Sequence, residues 1–258
     1  MAAVAVFVSS SDNTADVFEA VFPSIKKFWP DCPFPIYAGF NEATPFGDFQ
    51  PVRAQVAGWR KELRTQISLV NEDIILLLLD DQLLLAPVRT ERLLQCLRIM
   101  TDHDLDYLCL LPPPDSYWVR ALRWFGRQMG REGVLITLDP DRPYVSSLQI
   151  AFWKRSHLLA MLDLPGSIWD FENQFRPGSK HAAISTDPPF TYVHCVEKGR
   201  YGAVAPQLFR RAGLPFLPGN RPCEPAWRKY YGYYICLRFG LLGYAVVRFK
   251  RALRRITQ

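Results

Sequence analysis

The fold prediction for this chain starts from the segment Ile74-Ile75-Leu76-Leu77-Leu78-Leu79-Asp80-Asp81-Gln82. Six consecutive aliphatic residues are typical of a strand buried on both faces, as in a parallel sheet covered by helices. Two adjacent carboxylates follow at the carboxyl end of this strand. Open α/β sheets bind ligands at that edge, and burying an unpaired carboxylate is costly. The stretch therefore predicts a site for a cation or a polar ligand; the alternative is that the acids only cap the next turn.

Predicted strands and helices alternate on both sides of this stretch. The alternation favours an α/β fold built on a mostly parallel sheet. No linker rich in Gly or Ser interrupts it, so we expect one domain over residues 1–222 and a separate tail over residues 223–258. The patterns predict strands at 3–8, 36–40, 74–79, 107–111 and 145–153, and helices at 14–29, 59–71, 90–101 and 156–163.

Composition excludes several classes of protein. With 258 residues and 49% hydrophobic residues the chain can bury a full core. Its six cysteines form no CxxC pair, which favours reduced thiols in a cytosolic protein over a disulfide scaffold or a zinc site. Eight of the 31 basic residues lie after residue 224, where no acid occurs, and the remainder of the chain holds 23 basic and 25 acidic residues. A nucleic-acid-binding body is therefore not expected.

The tail combines apolar and basic residues. Residues 230–247 are apolar or aromatic apart from Arg238 and three glycines, and five basic residues follow within residues 248–255. The charge and the glycines weigh against a spanning helix and favour an amphipathic helix on an anionic membrane surface. We expect residues 228–255 to make this contact; the alternative is a helix packed on the body or on a partner.

An ordered series of short motifs over residues 4–218 resembles the bacterial glycosyltransferases of the GT-A type. The resemblance implies a single GT-A-like, Rossmann-like domain that uses a nucleotide-sugar donor. The motifs are Ser9-Ser10-Ser11-Asp12, Trp59-Arg60-Lys61-Glu62-Leu63, Leu79-Asp80-Asp81-Gln82, Ser146-Ser147-Leu148-Gln149-Ile150-Ala151-Phe152-Trp153, Trp169-Asp170-Phe171-Glu172, and the run from His194 to Tyr201.

The resemblance also implies residues that bind the donor. The serine-rich turn would bind the base and ribose, and the alternative is that Ser11 or Asp12 only caps a helix. The basic residues would reach the phosphates, and the alternative for Arg60 is a place on a helix face. Gln149 would bind sugar hydroxyls, or it braces the backbone. The expected donor-binding residues are Ser9, Ser10, Ser11, Asp12, Arg60, Asp80, Asp81, Gln149, Lys198 and Arg200.

Such enzymes usually hold Mg²⁺ or Mn²⁺ through a DxD motif, because these ions demand oxygen ligands. Here Asp80-Asp81-Gln82 lacks the third acid, and Gln82 offers only a carbonyl oxygen, so metal dependence stays open. Asp81 and His194 are the candidate ligands. A lone histidine between apolar residues is also compatible with a core position.

On the acceptor side, the resemblance makes Glu172 the candidate general base and Asp170 the second choice. The alternative is that Asp170 caps a helix while Trp169 and Phe171 belong to the core. The expected function is transfer of a sugar, with inversion, to a glycan or lipid-linked acceptor in bacterial surface polysaccharide or lipopolysaccharide synthesis. The expected location is the cytoplasmic face of the cell membrane. A nucleotidyltransferase and a noncatalytic membrane-associated assembly protein are the alternatives.

Overall fold

The computed structural model describes residues 2–112, 135–219 and 221–225, and the chain divides into two compact units, Met1–His194 and Cys195–Gln258. The division expected after residue 222 stays a prediction. The basic tail expected to contact a membrane at residues 228–255 lies outside the described residues. Within the part that is described, no helix combines the length and apolarity needed to cross a bilayer.

The first unit is an α/β structure with a mixed eight-stranded sheet, as the alternation of elements predicts. The strands stand in the order β3-β2-β1-β4-β8-β6-β9-β7, and a separate antiparallel pair joins β5 to β10. The strands are β1 (Val4–Ser9), β2 (Ile36–Phe40), β3 (Gln50–Arg53), β4 (Ile74–Leu79), β5 (Gln82–Leu84), β6 (Tyr107–Cys109), β7 (Leu135–Thr137), β8 (Ala151–Lys154), β9 (His181–Ile184) and β10 (Tyr192–His194). The helices are α1 (Ala15–Phe28), α2 (Trp59–Ser68), α3 (Thr90–Asp102), α4 (Arg155–Leu162) and α5 (Ile168–Asn173).

Strand β4 is buried on both faces. Its alternate side chains enter two different hydrophobic clusters, with Leu76 in one and Leu77 in the other. The first cluster receives apolar residues of α1 and α3, and the second receives those of α2, α4 and α5. Helices therefore cover both faces, which explains why β4 carries an uninterrupted aliphatic run in place of an alternating one.

Most of the sheet is parallel. Strands β3, β2, β1 and β4 run in one direction, β6 and β9 share it, and only β8 and β7 are reversed. The mostly parallel sheet predicted from the sequence is confirmed. Because β8 is antiparallel to β4, its first residues lie at the same edge as the carboxyl end of β4.

The strand predicted over residues 145–153 is wrong for its first six residues, since β8 begins at Ala151. The preceding segment makes its hydrogen bonds to the α5 region in place of a strand. The Ser146 amide donates to the Glu172 carbonyl at 3.1 Å, and the Leu148 amide donates to the Glu172 carboxylate at 3.0 Å. Residues 145–150 therefore form a loop that is tied to α5.

The second unit contains a hairpin and one helix, namely β11 (Val196–Glu197), β12 (Arg200–Tyr201) and α6 (Ala205–Ala212). The two turn residues, Lys198 and Gly199, have φ values of 50° and 74°. Positive φ at both central residues is the requirement of the tight hairpin turn whose twist matches the strands. Tyr201, Phe209 and Phe216 pack their rings together in this unit.

Two histidines are buried in contact with each other, on the face of the sheet that carries the second hydrophobic cluster. His181 Nδ1 lies 3.1 Å from the Val145 carbonyl, so it carries the proton, and His181 Nε2 accepts from His157 Nε2 at 2.8 Å. Both rings are satisfied when neutral. Burial, with a smaller contribution from His181, lowers the pKa of His157 to about 4, and burial also lowers the pKa of His181.

We expect this pair to make stability depend on pH between about 6.5 and 4. An unfolded histidine binds a proton below its ordinary pKa of about 6.5, whereas His157 in the folded protein does so only near 4. Unfolding then takes up protons, so the free energy of unfolding falls as pH falls, by on the order of 3 kcal/mol for His157. Denaturant titrations at pH 7 and pH 4.5 should show this loss in the native chain and less of it in His157→Gln. The exposed His103→Gln is the matched control, and equal losses in all three proteins would contradict the assignment.

Candidate ligand site at the carboxyl edge of the sheet

The strands that follow β1 are added on one side of it up to β3 and on its other side from β4 onward. From β1 it moves outward through β2 and β3, and β4 then returns to pair with the other side of β1. In open α/β sheets the crevice outside the carboxyl ends of two such strands is the usual ligand site. Here Ser9 pairs with Leu79 at the end of the ladder, so the serine-rich turn and the two acids leave the sheet side by side.

A direct contact joins these two segments. Ser10 Oγ donates to the Asp80 carboxylate at 2.8 Å, and the Asp80 amide donates to the Ser9 carbonyl at 3.2 Å. Ser10 and Ser11 also contact the Thr14 hydroxyl at 3.3 and 3.1 Å, which closes the turn into the short 3-10 segment Asp12–Thr14. The structure therefore brings Ser9, Ser10, Ser11 and Asp80 together, as the sequence led us to expect.

The Asp12 carboxylate is held by main-chain donors of the loop after β2. It accepts from the amides of Asn41, Glu42 and Ala43 at 2.8–3.1 Å. Burial raises the pKa of Asp12, but these three amides and Arg53 outweigh it, so the pKa lies below its ordinary value. Asp12 thus ties the turn after β1 to the loop after β2, and its carboxylate is already committed to this contact.

Asp81 belongs to a chain of hydrogen bonds that includes His194, the other candidate metal ligand, and Gln149. Its two oxygens lie 3.0 and 3.1 Å from His194 Nδ1, and His194 Nε2 lies 3.1 Å from the Gln149 side-chain oxygen. Tyr192 accepts from the Ile150 amide at 3.3 Å and donates to the same Gln149 oxygen at 2.6 Å. The Tyr192 hydroxyl donates to the Gln149 oxygen and His194 Nε2 faces the same atom, so Gln149 is held between two residues.

The structure brings the two candidate metal ligands, Asp81 and His194, into contact. A carboxylate only accepts, so the 3.0 Å contact is a hydrogen bond when His194 Nδ1 carries the proton. Neighbouring ligands of an octahedral ion at about 2.1 Å also lie about 3.0 Å apart. The hydrogen bond from His194 Nε2 to Gln149 is the outer contact that orients a metal-binding histidine.

Gln82 does not complete such a site. Its side-chain oxygen accepts from the Leu79 amide at 2.9 Å, and the residue is only 1% exposed. In the described ranges, no three His, Cys, Asp or Glu side chains converge on a point that could hold an ion. The protein would therefore supply two ligands, and a bound phosphate and water would supply the others.

A cavity of about 440 Å³ lies next to this chain of contacts, and Gln149 and Glu172 both line it. Glu172 Oε1 accepts from the Leu148 amide at 3.0 Å and faces Ser147 Oγ at 3.5 Å. Among the described residues, Glu172 Oε2 has no hydrogen-bond partner. One oxygen is thus anchored while the other is available to a molecule in the cavity. Gln149 connects this cavity to His194 and Asp81.

Asp170 has the capping role that the sequence left as an alternative. Its carboxylate accepts from the Ser167 amide and hydroxyl at 2.6 and 2.8 Å, and the Ser167 hydroxyl accepts from the Asp170 amide at 3.3 Å. The Ser167 amide contributes most to holding the pKa of Asp170 below its ordinary value. This reciprocal capping box begins α5 and so positions Glu172 one turn later. Phe171 is buried, whereas Trp169 is 65% exposed.

The Arg60 side chain makes its hydrogen bonds to the chain that surrounds α5. Its guanidinium donates to the carbonyls of Met161, Leu164 and Ser167 at 2.7–3.1 Å and to the Gln174 side chain at 2.8 Å. It also lies 5.3 Å from the Phe171 ring centroid. These contacts occupy the two terminal guanidinium nitrogens, while Arg60 Nε is buried and has no hydrogen-bond partner among the described residues. They favour a structural role for Arg60, and its assignment to a phosphate stays a prediction.

Lys198 and Arg200 belong to the β11–β12 hairpin of the second unit and are exposed there. Their assignment to the donor stays a prediction. Tyr192 and Ser147 are the site residues that sequence reasoning missed. A tyrosine two residues before His194 in a short strand points to the same face of that strand, which is the one signal that could have found Tyr192.

Comparison with known proteins gives only distant likenesses. No family model matches the chain, and no curated protein matches it. Residues 1–349 of TarS from S. aureus are 11% identical, with 70% of this chain and 60% of that chain covered and a TM-score of 0.42. A mannosyltransferase from Pyrobaculum calidifontis, in complex with GDP-Man and Mn²⁺, is 15% identical, with 77% and 58% covered and a TM-score of 0.48. A nucleotidyl transferase from Methanothermobacter is 15% identical, with 71% and 88% covered and a TM-score of 0.42.

This chain therefore spans about 60% of the length of the first two of these structures. Identities of this size and TM-scores below 0.5 decide neither the reaction nor the substrate. The geometry and polar groups of the site are therefore the basis for assigning a function.

We expect Arg60→Lys to lower the free energy of unfolding by about 2–3 kcal/mol, because lysine cannot satisfy the carbonyls that the guanidinium fork reaches. Affinity for nucleotide should not change at a temperature where the variant is folded. The neighbouring exposed Lys61→Ala should change stability by no more than about 0.5 kcal/mol. Thermal denaturation and calorimetry measure both quantities. Native stability combined with weakened nucleotide binding would instead place Arg60 on the donor phosphates.

Proposed function

We propose that this protein is a nucleotide-sugar-dependent glycosyltransferase whose donor binds between β1 and β4. The observation that carries the proposal is the role of Gln149. It connects the acid pair at the sheet's switch point to a cavity with a carboxylate in its wall. A transferase needs these two features next to each other: a place for a charged leaving group and a base beside the attacking hydroxyl.

The donor half of the reaction follows from the polar groups at the switch point. Ser9, Ser10 and Ser11 offer hydroxyls to the base or ribose, and Asp80 is oriented by Ser10. Asp81 and His194 lie at the pyrophosphate end. A cation held by Asp81 and His194 would offset the negative charge of the leaving nucleoside diphosphate.

A divalent ion in this place would be held by Asp81 and His194 and would act as a Lewis acid toward the phosphate oxygens. Gln149 and Tyr192 keep the His194 ring in its orientation whether or not the ion is bound. Lys198 and Arg200 remain proposed phosphate contacts from the second unit.

The acceptor half rests on Glu172. Its Oε2 would take the proton from an acceptor hydroxyl while that oxygen attacks the anomeric carbon of the sugar. The bond from that carbon to the diphosphate breaks on the opposite side, and the nucleoside diphosphate leaves with the bonding electrons. One carboxylate and one displacement give inversion. We propose a glycan or lipid-linked acceptor in surface polysaccharide synthesis, met at the cytoplasmic face of the cell membrane through the basic tail at residues 228–255.

Incubation with UDP-, GDP- and CDP-sugars tests the reaction class directly. The proposal expects a free nucleoside diphosphate together with a glycosylated product. Release of inorganic pyrophosphate from a nucleoside triphosphate would favour a nucleotidyltransferase instead. Absence of binding to every nucleotide, with and without Mn²⁺, would leave the noncatalytic assembly protein as the better interpretation.

Asp81→Asn should weaken nucleoside diphosphate binding in the presence of Mn²⁺ by about 10- to 100-fold, because a charged ligand or ion-pair partner is lost. Asp73→Asn is the matched control, since Asp73 precedes the same strand at the opposite edge of the sheet. Isothermal titration calorimetry measures the affinities. Equal affinity in Asp81→Asn, Asp73→Asn and the native chain would contradict a role for Asp81 in nucleotide binding.

Glu172→Gln should lower kcat by at least about 100-fold, since glutamine keeps the contact with Leu148 but cannot accept the acceptor proton. Glu91→Gln, at an exposed position in the first turn of α3, is the control. Initial rates at saturating donor measure the effect. Near-native turnover in Glu172→Gln would contradict the assignment of Glu172 as the general base.

A further inference from the structure

Two exposed aromatic side chains stand at the cavity that contains Glu172. Trp169 is 65% exposed and Tyr144 is 40% exposed, and both line this cavity. Most large apolar side chains of the first unit are buried, so the exposure of two aromatic rings on one cavity is unusual. Neither ring is required to fill the core, since Phe171 already packs there from the same helix.

One side chain ties both aromatic residues to each other. The Asn173 side-chain oxygen accepts from the Tyr144 amide at 3.0 Å, and its nitrogen donates to the Trp169 carbonyl at 2.8 Å. Ser167 and Asp170 fix the first turn of α5, on which Trp169 lies. The two rings are therefore attached to backbone that is held in place before any ligand binds.

Tyr144 has a φ of 59°, which lies in the left-handed region. A bulky residue seldom adopts this conformation, which glycine would adopt without strain. The strained backbone is held by Asn173, and the position carries a tyrosine that is 40% exposed. The geometry is consistent with a side chain kept for binding at a cost in stability.

The lining of the cavity selects the chemistry of its occupant. Most of the lining is apolar, from residues such as Leu111, Leu138 and Ala183, and its polar groups belong to Arg142, Ser147, Gln149 and Glu172. An alkyl chain would bury these polar groups without hydrogen bonds, which is unfavourable. A sugar ring offers C–H faces to aromatic rings and hydroxyls to the polar groups. The volume of about 440 Å³ is within the range of small-molecule sites.

We infer that Tyr144 and Trp169 form a platform for the terminal sugar ring of the acceptor and determine its selection. The inference rests on the proposed function, which assigns the hydroxyl of this ring to Glu172. The substrate class is thus a free or terminal saccharide whose apolar face lies against the two aromatic rings. Asn173 is a positioning residue for both rings.

Saturation-transfer NMR on the full-length protein tests the platform without requiring turnover. The probes are the methyl glycosides of glucose, galactose, mannose and N-acetylglucosamine, each with and without UDP, GDP or CDP plus Mn²⁺, and decanoate as an alkyl probe. We expect binding of at least one glycoside, with saturation strongest at the ring C–H protons. Trp169→Ala and Tyr144→Ala should each weaken it by about 10-fold, and Trp169→Phe should restore most of the affinity.

Leu69→Ala is the matched control, because Leu69 is 58% exposed but lies at the end of α2, outside this cavity. Its saccharide affinity should equal that of the native chain. Tyr144→Gly should keep or raise the melting temperature while weakening saccharide binding, which a purely structural tyrosine would not do. Binding of decanoate in place of every glycoside, absence of glycoside binding, or affinity unchanged by Trp169→Ala would each overturn the platform.

The platform and the proposed function fail in different ways. If a saccharide binds through Trp169 but no nucleotide sugar is consumed, the result supports the platform and contradicts the proposed transfer reaction. If transfer occurs and Trp169→Ala leaves the acceptor KM unchanged, the result supports the transferase and contradicts the platform. A raised acceptor KM together with Trp169-dependent binding supports both.

Discussion

The parallel pairing of β1 with β4 is the constraint on which the remainder of the site depends. All six residues of β1 pair in register with β4, from Val4 with Ile74 to Ser9 with Leu79. Both strands are buried by helices on each face, so a slip of one residue would exchange the contents of the two hydrophobic clusters. The register therefore cannot drift, and it delivers Ser10 to Asp80 at the edge of the sheet.

The reversed strand β8 joins the two halves of the site. Because β8 runs against β4 and β6, the loop that enters it lies at the carboxyl edge of those strands. Gln149 is in this loop and reaches His194, while the same loop receives Glu172 through the Leu148 amide. An entirely parallel sheet would have placed this loop at the opposite edge. One antiparallel strand thus connects the proposed base to the proposed phosphate site through a single loop.

Several charged residues near the site hold loops in place. Asp12 collects the amides of the loop after β2, Asp170 caps α5, and Arg60 satisfies carbonyls around that helix. Loops at the edge of a sheet carry backbone groups that no ladder pairs, and such groups need partners. Charged side chains are strong partners for them. Glu172 differs from these three residues, because its Oε2 has no hydrogen-bond partner among the described residues.

Local sequence patterns were enough to predict the central strands, the α/β class and the position of the two acids. Those features follow from local patterns, since an aliphatic run and a helical period are readable within one segment. Tertiary structure decided the partners: Asp81 meets His194 across 113 residues, and Arg60 meets Leu164 across 104. It also made residues 145–150 a loop, because hydrogen bonds to α5 replaced a ladder. Such contacts depend on where the fold brings distant segments together, and no local pattern carries that information.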